Sequence, residues 1–138
     1  LVHETAKFEA INYRQIMDEE NSKMQKISNT RNELWMRWKD RELTAEDYSK
    51  ATLAQMEELI NIADTLSKHV PQEWEGSSKY TRYRITEYLS YLQLSYMYAI
   101  ASESGSSESV LMEMQDAMKY RLNTSDHYLA LANESIPN

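Results

Sequence analysis

The fold is decided by residues 71–78, which read Pro71-Gln72-Glu73-Trp74-Glu75-Gly76-Ser77-Ser78. This stretch holds one of the two prolines and one of the two glycines in a chain of 138 residues. The other glycine, Gly105, lies in a second serine-rich stretch, and long segments with helical spacing of apolar residues surround both. Because glycine and proline interrupt helices most strongly, their scarcity predicts four long helices joined by three short loops.

Capping residues place the helix ends. Thr44 is followed three residues later by Asp47, which is a variant of the capping box, and Pro71 is typical of the residues just beyond a helix C-terminus. The predicted boundaries are, in chain order, Lys39/Thr44, Val70/Ser78 and Ser102/Ser107. Short loops make consecutive helices antiparallel, so we expect one all-α domain over residues 1–138, an antiparallel up-down-up-down four-helix bundle.

One apolar stripe on each helix predicts the core of this bundle. Apolar residues recur at a spacing of three or four, which places them on one helical face. The buried residues are expected to include Trp38, Leu59, Leu66, Leu89, Leu92, Met118 and Leu129.

The composition argues against several classes of function. The chain is acidic, with a net charge of −7 and no basic cluster, which excludes electrostatic steering onto nucleic acid or an anionic membrane. Cysteine is absent, which excludes thiol nucleophiles and thiolate metal sites. No apolar run approaches the ~20 residues that a membrane span needs. We therefore expect neither nucleic-acid binding nor membrane insertion of this segment.

Metal chemistry is not expected either. A di-iron site in a helical bundle needs Glu-x-x-His pairs, and Leu66 stands three residues before His69. Thr124 stands at the same distance before His127. The third histidine, His3, could share one end of the bundle with the other two, but three solvated histidines are the favoured interpretation. The sequence thus predicts no catalytic residue, no cofactor and no functional metal.

Two charged residues, Glu20 and Arg31, fall on the core stripe of the first helix. The favoured interpretation is a flank position from which both side chains reach water. A second interpretation is partial burial with structural pairing, which can set the register of a helical assembly. A third is that they line a ligand cavity.

Six of the ten tyrosines lie on the third helix, and they do not share one face. Tyr80, Tyr91 and Tyr98 lie nearly opposite the core stripe of that helix, where a surface helix should be polar. We expect a partly exposed contact face for a protein partner, a second copy or a ligand, because tyrosine suits interfaces. The alternative is that the rings cover a wide bundle side or lie under the second loop. The predicted interaction surface consists of Tyr80, Tyr83, Arg84, Tyr91, Leu94 and Tyr98.

Two turn motifs in the chain resemble turns found in a known class of helical domains. The first links helices one and two and reads Trp35-Met36-Arg37-Trp38-Lys39-Asp40-Arg41-Glu42-Leu43-Thr44-Ala45-Glu46-Asp47-Tyr48, and the second reads Val70-Pro71-Gln72-Glu73-Trp74. They resemble turns in small helical-bundle domains of prokaryotic secreted proteins and lipoproteins. In those domains a histidine commonly follows the second motif, whereas Ser77 and Ser78 stand in that region here. The resemblance implies a helical bundle located outside the cytoplasm.

The expected function is a non-catalytic interaction or structural domain that acts through its aromatic surface outside the cytoplasm. The alternative is a small-molecule-binding sensor domain of a membrane receptor, with ligand near Glu20 and Arg31 or on the tyrosine face. Its architecture would be similar to that of the ligand-binding bundles of bacterial chemoreceptors, which is an analogy of fold alone. The chain begins at Leu1 without methionine, so we expect a processed or partial sequence.

Overall fold

The computed structural model describes residues 2–138, without the side chains of Val2, His3, Ala6 and Phe8. Over this range the chain forms four α-helices and one short 3-10 helix, and no β-strand. The helices are α1 (Val2–Lys39), α2 (Ala45–Ser67), α3 (Glu75–Glu103) and α4 (Glu108–Glu134), and the 3-10 turn Gln72–Trp74 precedes α3. The predicted all-α four-helix bundle is confirmed.

Consecutive helices run antiparallel. Tyr48, in the first turn of α2, hydrogen-bonds to Ser95 near the end of α3. The carbonyl of Leu66, at the other end of α2, accepts a hydrogen bond from Ser78 at the start of α3. The connections between helices are short throughout, and they produce the predicted up-down-up-down order.

The predicted boundaries at two of the three loops are confirmed to within one residue. The Thr44 hydroxyl caps α2 by accepting from the Asp47 amide at 3.0 Å, and the Ser107 hydroxyl caps α4 by accepting from the Val110 amide at 3.3 Å. Gly105 ends the turn after α3 with a φ of 76°, which glycine adopts without steric cost.

The second loop lies elsewhere than predicted. The predicted end of the second helix at Val70 is wrong by three residues, because α2 ends at Ser67 and His69 takes a φ of 51°. The predicted start of the third helix just after Ser78 is also wrong, because α3 begins at Glu75 and runs through Gly76. A Cβ on Gly76 would lie 3.3 Å from Ser135 Cβ, which is a tight contact, so glycine eases the close approach of the two segments.

The core consists of two clusters. The larger cluster joins Tyr13, Met17, Met24, Ile27, Leu59, Ile62, Leu66, Trp74, Ile85 and Leu92. The smaller cluster joins Trp38, Tyr48, Tyr98, Ala99 and Met118. Five of the seven predicted core residues are buried, whereas Leu89 and Leu129 are only half-buried.

The four helices are not equally close to one another. Within the described residues, no Cα atom of α1 lies within 8 Å of α3 or α4, although α1 approaches α2 and α3 approaches α4 at that distance. Long side chains therefore fill the space between α1 and the α3–α4 pair. No helix of the described chain is long and apolar enough to cross a membrane.

Candidate ligand-binding groove

A groove of about 300 Å³ opens between α1, α3 and α4. Helix α1 lines it with Ser28, Arg31, Asn32 and Trp35. These positions follow the spacing i, i+3, i+4, i+7, which places all four side chains on one helical face. One face of α1 is therefore turned toward the groove rather than being packed against a neighbouring backbone. We call this space the Arg31 groove.

The opposite walls of the Arg31 groove are mainly apolar. Helix α3 contributes Tyr88 and Tyr91, and helix α4 contributes Met118 and Leu122. The rings of Tyr88 and Tyr91 meet edge to face with their centroids 5.3 Å apart. The exposed lining of the groove as a whole is polar and apolar in nearly equal parts, and the space between helices of a bundle is one of the usual places for a small-molecule site.

Arg31 is 4% exposed and lies at the centre of a network of neutral groups. Its Nη1 donates to Thr52 Oγ1 at 3.0 Å and to Gln55 Oε1 at 2.9 Å. Its Nη2 donates to the Tyr48 hydroxyl and to Ser95 Oγ. The guanidinium thus binds side chains of both α2 and α3 from its position on α1.

No negative charge balances this buried cation among the residues whose side chains the structure describes. The ion pairs of these residues all involve other cations, and the four acceptors that Arg31 uses are uncharged. A guanidinium carries five N–H donors, and the fifth, on Nε, is buried without a hydrogen-bond partner. Burial of an ion without a counter-charge costs on the order of several kcal/mol, and the four hydrogen bonds and the Tyr48 ring, whose centroid lies 5.2 Å from the guanidinium carbon, offset part of this cost.

Most of the groups that surround the guanidinium make a second hydrogen bond. Tyr48 and Ser95 bond to each other through their hydroxyls, and Thr52 Oγ1 donates to the Tyr48 carbonyl at 2.9 Å. Gln55 differs, because its Nε2 donates to Thr30 Oγ1 at 3.0 Å while its Oε1 accepts from Arg31. Removal of Arg31 would therefore leave Gln55 Oε1 without this donor.

The phenols near Arg31 remain protonated at neutral pH. Burial raises the pKa of Tyr88 to about 12, and the neighbouring Tyr91 acts in the same direction. Burial also raises the pKa of Tyr48, against a smaller opposing effect of the positive charge on Arg31. Neutral phenols can donate hydrogen bonds but do not act as bases at this pH. These phenols are therefore not candidates for proton abstraction at neutral pH.

The expectation that Glu20 and Arg31 reach water from the flank of the first helix is wrong. Both are 4% exposed, because the Cα atoms of α1 stand away from α3 and α4 and long side chains are enclosed between them. Their environments differ, because Glu20 pairs with Lys23 at 2.9 Å on its own helix. Glu20 therefore fits the alternative of burial with structural pairing. Arg31, in contrast, lines a groove and has no such pair.

The predicted tyrosine strip is divided by the packing of α3. Tyr98 is 6% exposed, with its ring centroid 5.4 Å from that of Trp35, and its hydroxyl accepts from Gln115 Nε2 at 3.1 Å. The expectation that Tyr98 is partly exposed is wrong, because α3 packs against both α2 and α4 and has no free side at this level. Leu94 is half-buried against the smaller core cluster, and Tyr91 lines the Arg31 groove.

The remaining members of the strip lie at the other end of α3. Tyr80 stacks on Tyr128 of α4 with a centroid distance of 6.4 Å, and Tyr83 meets the same ring at 5.4 Å. Tyr83 is 46% exposed. Arg84 is half-buried with Nη1 3.9 Å from Met24 Sδ, and burial lowers its pKa. Of the six predicted residues, only Tyr80 and Tyr83 belong to this aromatic cluster with Tyr128, in which Tyr83 is exposed and the other two rings are half-buried. The role of the six residues in an interaction stays a prediction.

The histidines and carboxylates form no evident metal site. His69 and His127 are exposed, and the side chain of His3 lies outside the described residues. Within the described part of the chain, no group of three or more His, Asp or Glu side chains is placed to hold a metal ion.

The sequence identified Arg31 and Tyr91 but missed most of the groove. Ser28, Asn32 and Trp35 share the Arg31 face of α1 at helical spacing, and this set could have been recognised as a polar interruption of an apolar stripe. The contribution of α4 could not be recognised, because it depends on the separation of α1 from α4. No family model matches this chain, and neither a curated protein nor a solved structure matches it significantly.

Proposed function

We propose that this domain is a non-catalytic binding domain that holds a small anionic molecule in the Arg31 groove. One observation supports the proposal: Arg31 is buried and lines the groove, and no carboxylate pairs with it among the described side chains. An anion in the groove would supply the missing negative charge.

This proposal favours the small-molecule sensor over the purely structural domain. The buried position of Tyr98 removes part of the surface on which the structural interpretation depended. A location outside the cytoplasm is retained in the proposal, and its support is the resemblance of the two turn motifs to those of secreted proteins.

The proposal is tested by calorimetric titration with a panel of small anions that includes carboxylates, sulfonates and phosphate esters. We expect at least one anion to bind the wild-type protein and to lose at least about tenfold in affinity for Arg31→Met, which is ~1.4 kcal/mol. Arg37→Met is the matched control, because Arg37 lies on the same helix and is exposed. Equal binding to wild type and Arg31→Met, or no binding by any anion, would overturn the proposal.

A second candidate function rests on the aromatic cluster of Tyr80, Tyr83 and Tyr128. Tyr83 is 46% exposed although its ring packs against the other two, which are half-buried, and aromatic residues are enriched in protein contacts. We propose a second copy of the chain as the partner. Sedimentation at rising concentration should show association that Tyr83→Ala weakens, and a wild-type protein that stays monomeric contradicts this candidate.

A further inference from the structure

A second pocket lies where α1 runs past the C-terminal end of α2. The Tyr13 hydroxyl donates to the Leu66 carbonyl at 2.6 Å, which places Tyr13 level with the last turn of α2. The residues of α1 before Tyr13 therefore stand beside residues 68–71, which follow the end of α2. The space between these two segments has a volume of about 520 Å³. We call it the His69 pocket, and its polar lining includes Glu9, Asn12, Thr65, Lys68 and His69.

His69 holds a backbone conformation that costs histidine free energy. Its φ is 51°, in the left-handed region, and it stands just after the C-cap of α2, where glycine or asparagine usually ends a helix. Glycine adopts this conformation without the steric cost that a side chain brings. Residues held in sparsely populated conformations are concentrated at binding and active sites. The strain therefore indicates that the imidazole on the wall of the pocket has a role that glycine would not fulfil.

The charges around the His69 pocket favour a cation. Glu9 is exposed and forms no ion pair with another described side chain. Lys68 also lines the pocket, but its Nζ lies 3.0 Å from Asp64 Oδ2, so its charge is paired. The C-terminal end of a helix carries a partial negative charge, and the last turn of α2, which is fully described, has no basic residue. A free carboxylate beside a helix C-terminus is an environment for a positively charged group.

The uncharged walls suit an alkyl chain that ends in an ammonium group. Asn12 and Thr65 carry side-chain oxygens, and a neutral imidazole has one nitrogen that accepts a hydrogen bond. A primary ammonium group has three N–H donors, which a carboxylate and two such acceptors satisfy. The apolar part of the wall includes Ile16, Val70 and Pro71, which are half-buried. Methylene groups gain free energy when such side chains remove them from water.

We propose that the His69 pocket binds a primary alkylammonium ion, with the ammonium group on Glu9 and His69 and the alkyl chain against Ile16 and Val70. The volume of the pocket lies within the usual range for small-molecule sites. The His69 pocket and the Arg31 groove share no described lining residue. Binding of a cation here is therefore independent of the anion proposed for the Arg31 groove, and each is tested with its own probes.

The test is a calorimetric titration of the wild-type chain with four matched probes. Hexylammonium carries both proposed features, methylammonium has the charge without the chain, 1-hexanol has the chain without the charge, and hexanoate has the chain with the opposite charge. We expect hexylammonium to bind at least about tenfold more tightly than each of the other three. Equal affinity for any of the three, or no binding of hexylammonium, would overturn the proposal.

A pair of variants and the methyl signals check the position of the ligand. Glu9→Gln should weaken hexylammonium binding at least about tenfold. Glu33→Gln should leave it unchanged, since Glu33 is exposed on the same helix and lies outside the pocket. In the wild-type protein, hexylammonium should shift the NMR methyl signals of Ile16 and Val70 but not those of Ile60, which is 54% exposed and lies elsewhere. Wild-type affinity in Glu9→Gln, or methyl shifts at Ile60 alone, would contradict the proposed site.

His69→Gly separates a role of the imidazole in binding from a role in ending α2. Glycine adopts a φ of 51° without strain, although it also makes the unfolded chain more flexible. We therefore expect His69→Gly to unfold at a denaturant concentration similar to that of the wild type and to bind hexylammonium at least about threefold less tightly. A changed denaturation midpoint with wild-type affinity would show that His69 serves the fold alone and would overturn its place in the site.

Discussion

Arg31 on α1 donates a hydrogen bond from Nη2 to Ser95 Oγ on α3, 3.0 Å away, although no described Cα atom of α1 lies within 8 Å of α3. The long arginine side chain thus spans a gap that the backbones leave open. The same gap creates the groove, so one residue both bridges the two helices and presents an unbalanced charge to the space between them.

Arg31→Met is expected to preserve stability. The substitution removes the desolvation cost of a buried cation, and Tyr48, Ser95 and Thr52 keep their other hydrogen bonds, although Gln55 Oε1 loses its donor. The free energy of unfolding in urea should change by less than about 1 kcal/mol or should increase. A loss above about 3 kcal/mol would show that Arg31 is a structural element of the core and would weaken the argument that its charge is kept for a ligand.

Leu92→Ala and Leu89→Ala should differ in cost. Leu92 is fully enclosed in the larger core cluster, whereas Leu89 is half-buried at its edge. We expect about 2–5 kcal/mol of destabilisation for Leu92→Ala and a distinctly smaller loss for Leu89→Ala, measured by chemical denaturation. Equal losses, or a loss below about 1 kcal/mol at Leu92, would contradict the assignment of this face of α3.

Gly105→Ala should destabilise the bundle through backbone strain alone. The φ of 76° at Gly105 disfavours a side chain, while no atom lies within 4 Å of the position a Cβ would take. We expect a loss of about 1–2 kcal/mol for alanine and a smaller loss for asparagine, which tolerates the left-handed region better. Thermal unfolding of the two variants checks this order, and a reversed order would mean that contacts rather than strain control the turn.

Stability should fall in alkaline solution as the buried phenols ionise. The pKa of Tyr88 is raised from 10.0 to about 12 in the folded chain, so the unfolded chain loses this proton first as the pH rises. The contribution of Tyr88 is complete below pH 10 and is lost between about pH 10 and 12. Denaturant midpoints measured across this window should decline less steeply for Tyr88→Phe than for wild type. Parallel declines would contradict the raised pKa.

The capping rules predicted those helix ends that depend on residues close by in the sequence. Thr44 and Ser107 were recognisable as caps because a hydroxyl at that position satisfies a free helical N–H. Gly76 was misinterpreted as a loop residue, because it lies beside Ser135 just beyond the end of α4, and no local pattern reveals such a contact. Helix ends that depend on tertiary contacts were therefore not predicted from the sequence.

The predictions for the groove divide in the same way, into those that depend on local sequence and those that depend on how the helices are spaced. Arg31 stood out because a charge on an apolar stripe breaks the expected pattern, but its burial depends on the spacing of the helices. Tyr98 was expected to be partly exposed because each helix was assigned one core stripe. Helix α3 instead packs against α2 and α4, and its Ser95 accepts a hydrogen bond from Arg31 of α1. Apolar residues on several faces of α3 are therefore enclosed.

The central claim is that the buried charge of Arg31 favours an anion in the Arg31 groove. The most direct test follows the arginine Nε–H resonances of the wild-type protein by NMR during titration with each anion of the calorimetric panel, with Arg31→Met used to assign the signal. We predict that at least one anion binds and that the Arg31 Nε–H signal shifts and saturates together with the calorimetric binding curve. An Arg31 signal that stays in place while an anion saturates the protein, or a protein that no anion of the panel saturates, would contradict the claim.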